Sequence, residues 1–311
     1  MRKKIIIKGP VLSRSGYGEQ ARFALRSLRK NEDRFDIYLV NTSWGATGWT
    51  SQHNEERQYI DFLIQKTFNF VQNKGQFDLS LQVTIPNEWE KIAPVNIGYT
   101  AGIETSKVAP VWLQKGNDMD KVLVVSNHAK QTYTNTVYEA KNNQTGEVFP
   151  YRMEKPVEVV WENTPRAEAE PIEELELPYD FNFLMVSQIS PRKNFTDALK
   201  WWVEEFIDQE VGLVLKSNIK CNSVMDFEAF HKAVKNFLAA YPDRKCKVHI
   251  LHGDLTAGQM TGLYTHPKIK AIVNIAHGEG FGLPLYEAAR EGLPVVTIGW
   301  SGQLDFLTVD G

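Results

Sequence analysis

Short apolar runs alternate with amphipathic stretches along the whole chain. In the first half, four apolar runs predict buried strands at about residues 5–7, 35–40, 77–83 and 95–99. Apolar residues that recur at the helical period predict helices at about residues 18–30, 55–73 and 126–139. Ser126 stands where the last of these helices needs an N-cap. The opening strand–helix–strand is the start of a Rossmann-like sheet.

The same alternation continues in the second half of the chain. It predicts strands at about residues 181–186, 211–215, 248–251, 269–276 and 294–298. The helices predicted there cover about residues 194–207, 226–241, 256–265 and 284–290. Strands that alternate with helices require a parallel sheet with right-handed crossovers. We therefore expect two α/β domains, with ligand bound outside the carboxyl ends of the strands.

The two halves are separated by a stretch rich in glutamate and proline, residues 162–178. Charges of one sign repel each other, and proline stiffens the chain, so this composition predicts an exposed interdomain connection. The expected organisation is an N-terminal Rossmann-like domain at residues 1–161, an acidic linker at 162–178 and a C-terminal Rossmann-like domain at 179–311.

Composition narrows the classes of function. The net charge of −3 gives no reason to expect nucleic acid or an anionic membrane as the main partner. Cys221 and Cys246 are the only cysteines, so no disulfide framework is implied and a reducing compartment is the default. No apolar run approaches the roughly 20 residues of a membrane span. We expect a cytoplasmic protein without an integral membrane segment.

The most informative stretch follows the apolar run 269–276. Three glycines at alternate positions from Gly278 to Gly282 let the backbone turn sharply and approach a ligand closely. Pro284 suits the first position of the helix that follows. A loop of small residues that leads into a helix start presents free N–H groups, which suits a phosphate. Two carboxylates flank this loop, Glu279 within it and Glu287 about one turn into the helix.

A second glycine-rich segment needs a separate interpretation. Gly16 to Ala21 reads G-x-G-x-x-A, which is also found in dinucleotide-binding domains. Two features count against that use here. The first glycine lies eight residues beyond Lys8, whereas the fingerprint turn follows its strand closely, and Val40-Asn41 offers no acid for the ribose. A nicotinamide-dependent oxidoreductase therefore remains only an alternative.

The string from Glu279 to Ala288 resembles a known signature. It matches every fixed letter of E-G-F-G-L-P-x-x-E-A, the E-x7-E motif of retaining nucleotide-sugar glycosyltransferases, family 4 in particular. The resemblance implies the GT-B fold, in which two Rossmann-like domains with parallel sheets face a cleft. It also implies transfer of a sugar from a nucleotide diphosphate sugar to an acceptor hydroxyl, with no cofactor and no metal.

The resemblance assigns roles to residues of this motif. Glu279 would bind hydroxyls of the donor sugar, because a carboxylate accepts strong hydrogen bonds from adjacent hydroxyls. Glu287 would bind the nucleotide ribose in the same way. The other donor-binding residues that it implies are Gly280, Phe281, Gly282 and Leu283.

Ser187 to Asn194 resembles a second family motif, a loop that starts with Gly-Arg and ends with a basic pair before Gly or Asn, in which the basic residues hold the nucleotide diphosphate. Lys193, with Arg192 beside it, matches the second basic position. Gln188 stands where the family usually has arginine, so one cation is missing. A non-catalytic carbohydrate- or nucleotide-binding relative is therefore a further alternative.

The first domain resembles the family more loosely. Its loop with Gly16 and Gly18 would face the cleft, and its backbone N–H groups could approach donor phosphate or acceptor. Glu104 lies in the segment that resembles the acceptor side of the cleft, and is the candidate acceptor-side carboxylate. The acceptor would be a carbohydrate, a glycolipid or another hydroxyl compound.

The end of the chain carries one more expectation. Residues 301–307 resemble the family helix that follows the signature. The sequence then stops at Asp310-Gly311, a turn pair that should lead into another strand. Family members continue with a further strand and helices, so the resemblance predicts an incomplete, truncated C-terminal domain.

Overall fold

The computed structural model describes residues 2–142, 144–173 and 175–308. The chain divides into two compact units, one that ends at Asn163 and one that begins at Thr164. Each unit is an α/β structure built on a parallel sheet, as the alternation of strands and helices predicts.

The first unit contains eight strands and four α-helices within residues 2–142 and 144–163. Its elements are β1 (Lys3–Gly9), α1 (Gly16–Arg29), β2 (Phe35–Asn41), α2 (Glu55–Gln72), β3 (Leu79–Val83), β4 (Val95–Thr100), α3 (Pro110–Asp118), β5 (Lys121–Val124), α4 (Asn127–Asn135), β6 (Val137–Lys141), β7 (Val148–Arg152) and β8 (Val157–Val159). Six strands form one sheet in the order β2-β1-β3-β4-β5-β8, and every pair in it is parallel. The core strand β1 is buried from Ile5 to Ile7.

The predicted helix at 126–139 is wrong beyond Asn135. Ser126 caps the helix as expected, because its hydroxyl accepts the Ala129 N–H at 3.2 Å. After α4 the chain instead forms an antiparallel hairpin of β6 and β7. Its sequence alternates sides, and the Tyr138 hydroxyl donates to the Val108 carbonyl at 2.7 Å on the inner face. Contact with the domain therefore overrides helix extension here.

The second unit contains five strands and five helices within residues 164–173 and 175–308. Its elements are β9 (Asn182–Gln188), α5 (Phe195–Glu205), β10 (Gly212–Asn218), α6 (Val224–Leu238), β11 (Lys247–Leu251), α7 (Ala257–Tyr264), β12 (Ile269–Asn274), α8 (Leu283–Arg290), β13 (Val295–Thr297) and α9 (Leu304–Leu307). The strand order is β11-β10-β9-β12-β13, again all parallel. Since β9 and β12 are neighbours and run in the same direction, the loops that follow them lie at the same edge of the sheet.

The acidic stretch 162–178 is not a freely exposed connection over its whole length. Glu170 is held by α7, since its N–H donates to the Gly258 carbonyl at 2.9 Å and its carboxylate accepts from the Thr256 hydroxyl at 2.7 Å. Leu177 is buried in the apolar core of the second unit. The part of the stretch that the structure describes from Thr164 onward therefore packs on the second unit.

Two remaining expectations concern the membrane and the chain end. In the described part of the chain, no helix is both long and apolar enough to cross a membrane. The predicted turn at Asp310-Gly311 lies outside the described residues.

Candidate functional site

The loop between β12 and α8 is shaped by its glycines. Gly282 directly precedes α8 with a φ of +90°, a left-handed conformation that glycine adopts without strain. The helix begins at Leu283, one residue before the predicted start, so Pro284 takes its second position, where a missing N–H still costs no helical bond. The N-terminus of α8 is capped by no side chain, and the positive end of the helix dipole there suits an anion.

Glu279 of this loop is paired with two cations from the loop after β9. The Lys193 ammonium lies 2.5 Å from Oε1 and 2.7 Å from Oε2 of the Glu279 carboxylate. The Arg192 Nη1 donates to the Gly278 carbonyl at 2.8 Å and lies 3.5 Å from Glu279 Oε2. The His277 N–H donates to the Arg192 carbonyl at 2.9 Å and joins the two loops. The structure thus brings together all three residues predicted to be catalytic.

The electrostatics of this group keep Glu279 charged. The residue is only 5% exposed, and burial by itself raises the pKa of a carboxyl group. The charge and hydrogen bonds of Lys193 lower the pKa of Glu279 by more than burial raises it. The charge of Arg192 and the hydrogen bond from Asn274 lower it further, so the pKa of Glu279 lies below its ordinary value. A buried carboxylate that stays ionised at neutral pH is a strong hydrogen-bond acceptor.

Asn274 is a site residue that sequence reasoning missed. It ends β12, and its Nδ2 donates to Glu279 Oε1 at 2.8 Å. Its own Oδ1 accepts the Ala276 N–H at 2.8 Å, which fixes the orientation of the amide. The sequence signal was a polar residue near the end of a mainly apolar strand run.

Ser301 was also missed, and it holds the backbone of Glu279. Its hydroxyl accepts the Glu279 N–H at 3.0 Å and donates to the Glu279 carbonyl at 2.6 Å. The next residue, Gly302, donates its N–H to the same carbonyl at 2.9 Å. A Cβ on Gly302 would lie 1.9 Å from the Gly280 carbonyl oxygen, so this contact requires glycine. The loop is therefore held by a segment that follows β13.

Glu287 has a separate partner. It lies on α8, and its Oε2 accepts a hydrogen bond from the Tyr264 hydroxyl at 3.0 Å. Tyr264 ends α7 and is buried, which raises its pKa well above the ordinary value, and the Glu287 charge raises it further. Tyr264 is consequently a permanent donor that orients one oxygen of Glu287.

The structure separates backbone from side-chain roles within the motif. The Phe281 ring is buried and packs against the rings of Tyr286 and Phe306, with centroids 5.4 and 5.1 Å away. Only the backbone of Phe281 is thus placed to meet a ligand. Leu283 opens α8 and is half-buried. Gly280 approaches Gly302 closely, as described above.

Gln188, which replaces the expected arginine, has a different task. Its Nε2 lies 3.2 Å from the carbonyls of Ile219 and Lys220, in the loop after β10. The amide therefore ties two neighbouring strand ends together. Both bonds are made by the uncharged NH₂ group of glutamine, so Gln188 brings no positive charge to this position.

The candidate residues of the first unit lie around the start of α1 and the loop after β4. The Gly18 N–H donates to the Ser15 hydroxyl at 3.1 Å, and a Cβ on Gly18 would lie 2.0 Å from the Ser13 carbonyl oxygen. Gly18 is therefore required by the packing of its own loop. Gly16 is exposed, with open space around its Cβ position. Glu104 is half-buried; burial raises the pKa of Tyr17, and the Glu104 charge adds to that rise.

Two further observations bear on the class of site. Residues 10–15 separate the end of β1 from the start of α1, so the G-x-G-x-x-A segment does not form the tight strand-to-helix turn of a dinucleotide fingerprint. Among the residues that the structure describes, no group of three or more His, Cys, Asp or Glu side chains could hold a metal ion.

Comparison with solved structures identifies the fold. HepE from Anabaena, in complex with UDP and glucose, is 14% identical, with a TM-score of 0.58 over 99% of this chain and 83% of that chain. The catalytic domain of starch synthase IV from Arabidopsis thaliana, bound to ADP and acarbose, is 10% identical, with a TM-score of 0.56 over 100% of this chain and 85% of that chain. A trehalose-6-phosphate synthase is 10% identical, with a TM-score of 0.54 over 97% of this chain and 85% of that chain.

These likenesses show that the chain has the GT-B fold, the two-domain Rossmann-like architecture of nucleotide-sugar glycosyltransferases. The sequence itself matches no protein-family model and no curated protein.

Proposed function

We propose that this protein is a retaining glycosyltransferase that moves a sugar from a nucleotide diphosphate sugar to an acceptor hydroxyl. The observation that carries the proposal is the buried Glu279 carboxylate, bonded to Lys193 and next to Arg192, at the open N-terminus of α8. This arrangement places an ionised hydrogen-bond acceptor, two cations and a helix N-terminus without a side-chain cap at one edge of the parallel sheet of a GT-B fold.

The chemistry follows from these groups. Glu279 accepts hydrogen bonds from hydroxyls of the donor sugar, which holds the anomeric carbon in place. Lys193, Arg192 and the start of α8 stabilise the negative charge that develops on the departing diphosphate. Glu287, oriented by Tyr264, binds the ribose hydroxyls. The fixed cations supply the charge that a metal ion would otherwise provide.

The solved structures support the nucleotide-sugar part of the proposal. HepE was solved with UDP and glucose, and starch synthase IV with ADP and acarbose. Retention is supported by the E-x7-E resemblance and by the trehalose-6-phosphate synthase, whose structure addresses glycosyl transfer with retention. The acceptor side is proposed for the first unit, with Glu104 as its carboxylate.

A donor screen followed by two matched variants tests the proposal. Thermal shifts with UDP-glucose, ADP-glucose and GDP-mannose identify the donor, and release of free sugar then measures turnover. Glu287→Gln is expected to weaken binding of the nucleoside diphosphate, because the ribose contact exists in the ground state. Glu279→Gln is expected to lower kcat with little change in that affinity. Glu204→Gln, on the exposed face of α5, is the control and leaves both unchanged.

The outcome against the proposal is equally specific. A wild-type protein that neither binds nor hydrolyses any nucleotide sugar overturns the enzyme assignment. Equal affinity losses in the two motif variants overturn the division of labour between the glutamates.

Gln188 favours one alternative, a non-catalytic binding relative of the same fold. Its amide is bonded to two backbone carbonyls, so this position contributes no cation to a diphosphate. Tight UDP binding without any hydrolysis or transfer supports this alternative. Turnover by the wild-type protein excludes it.

A further inference from the structure

The two oxygens of the Glu279 carboxylate have unequal surroundings. Oε1 accepts from Lys193 Nζ at 2.5 Å and from Asn274 Nδ2 at 2.8 Å. Oε2 accepts from Lys193 Nζ at 2.7 Å, and its second neighbour, Arg192 Nη1, is at 3.5 Å. Each carboxylate oxygen offers two lone pairs. Oε1 therefore has two short bonds, whereas Oε2 has one short bond and one at the limit of hydrogen bonding.

This asymmetry depends on Asn274. Without its amide, both oxygens would share the same ammonium, and the carboxylate could rotate about its last torsion, which is broad and twofold. The amide itself cannot reverse freely, because its Oδ1 accepts the Ala276 N–H at 2.8 Å. Reversal would place an NH₂ group against that N–H and an oxygen against the carboxylate. The turn after β12 therefore fixes the Asn274 amide, and the amide in turn fixes the position of Oε1 of Glu279.

We propose that Asn274 is a positioning residue: it anchors Oε1 of Glu279 so that Oε2 faces the hydroxyl of the donor sugar. The role in turnover rests on the proposed function; the anchoring does not. An incoming hydroxyl replaces the long contact from Arg192 on Oε2, while Arg192 Nη1 keeps its bond to the Gly278 carbonyl. Asn274 touches the carboxylate and not the sugar.

Three variants separate positioning from simple packing. Asn274→Ala removes the donor, and Asn274→Asp replaces it with an acid of the same shape. Asn182→Ala is the matched control, because Asn182 is a buried asparagine at the opposite end of the same sheet whose amide donates to the carbonyls of Tyr179 and Lys268. Hydrolysis of UDP-glucose, or of the better donor among the three screened, is measured for each, together with thermal stability.

Asn274→Ala is expected to lower kcat by roughly ten- to a hundredfold with at most a small change in KM, because the reacting sugar is misplaced but the nucleotide still binds. Asn182→Ala is expected to lower thermal stability about as much as Asn274→Ala does, and to leave kcat unchanged. Equal kcat in wild type and Asn274→Ala overturns the proposal.

Asn274→Asp adds a readout that a packing role would not move. The introduced acid contacts Glu279, and Lys193 and Arg192 contact the same carboxylate. Ser301, which bonds the Glu279 backbone, is neutral, and the exposed His277 lies in the same loop. A proton shared by the two acids stays on the introduced one, because Lys193 bonds directly to Glu279. A protonated acid donates as the amide does. The activity of the Asn274→Asp variant, relative to wild type, is therefore expected to rise as pH falls from about 8 to about 5.5.

The pH response has a direct control in Asn274→Ala, whose activity ratio to wild type stays constant over the same range. A constant ratio for Asn274→Asp as well overturns the positioning role.

A measurement that needs no turnover distinguishes failure of this inference from failure of the proposed function. The pKa of Glu279 is followed by NMR in protein with labelled glutamate and no ligand. Loss of the Asn274 donor is expected to raise that pKa in Asn274→Ala and not in Asn182→Ala. A shift in a protein that hydrolyses no donor refutes the function and keeps the anchoring, whereas no shift refutes the anchoring whatever the activity.

Discussion

The Lys193–Glu279 pair gives the most demanding test of the site. Lys193→Met removes the ammonium that bonds both carboxylate oxygens, at 2.5 and 2.7 Å, and keeps an unbranched side chain of similar length. The two side chains are 15% and 7% exposed, so water cannot simply replace the lost partner. The carboxylate then keeps only the Asn274 amide and the distant Arg192.

The expected loss is large because a buried charge is left without its close counter-ion. Removing one partner of a buried ion pair costs about 3–5 kcal/mol. For a domain of about 150–250 residues, each kcal/mol lowers Tm by about 2–4 °C, so the transition of the second unit should fall by roughly 6–20 °C. The catalytic consequence under the proposed function is a separate loss of diphosphate stabilisation.

The pH dependence fixes the sign of the effect. In the wild type, burial alone raises the pKa of Glu279 and Lys193 lowers it below its ordinary value, so the pair stabilises the fold above the unfolded pKa of about 4.3. That contribution is lost as pH falls through the folded pKa. In Lys193→Met only burial and weaker donors remain, so the carboxyl protonates more readily and the penalty is relieved in acid. The Tm difference between wild type and variant should narrow from neutral to acidic pH.

Scanning calorimetry of the whole chain measures this, with transitions assigned to each unit because two units need not unfold together. Lys200→Met is the matched control: its ammonium lies 4.0 Å from Glu204 on the exposed side of α5, where an ion pair contributes less than about 1 kcal/mol. The double variant Lys193→Met/Glu279→Gln should recover most of the lost stability. The same Tm loss at pH 4 and pH 7, or no recovery in the double variant, would refute the reasoning.

Two further variants test the supports of the loop and of Glu287. Tyr264→Phe removes the hydroxyl that donates to Glu287 at 3.0 Å, so UDP should bind roughly three- to tenfold more weakly by calorimetry; unchanged affinity contradicts the ribose role. Gly302→Ala places a Cβ 1.9 Å from the Gly280 carbonyl and should lower donor hydrolysis by at least about tenfold, whereas Gly299→Ala, with open space at its Cβ position, should not. Equal activity in the two alanine variants contradicts the close approach.

The sequence was sufficient for the α/β fold because most strands are continuous apolar runs bounded by helices with regular apolar periods. It failed where local preference competes with tertiary contact. Strands β6 and β7 pair as a hairpin that is stabilised by packing of Tyr138 and Tyr151 on the domain. Pro150 within β7 disfavours a strand prediction there. β8 spans only Val157–Val159, which is too short to give a periodic signal.

The site shows the same limit. The motif letters identified Glu279, Lys193 and Arg192. Their contact depends on β9 and β12 being neighbours, and the order of strands in a sheet does not follow from their order along the chain. Asn274 could not be singled out, since one polar residue at a strand end has many uses. Ser301 acts from a left-handed conformation, with φ of +87°, which a non-glycine residue rarely adopts.

The hydrogen bonds that join Glu279 to Ser301 and Gly302 also make opening of this loop measurable by hydrogen exchange. The Glu279 N–H is donated to Ser301, and the Gly302 N–H is donated back to the Glu279 carbonyl. Neither amide can exchange its hydrogen with solvent until the two segments part, so both should be slowed by the same factor relative to their intrinsic exchange rates. A bound nucleotide sugar that holds the loop closed should slow hydrogen exchange at both amides. Hydrogen exchange at these two positions would thus report occupancy of the site even where the acceptor is not known.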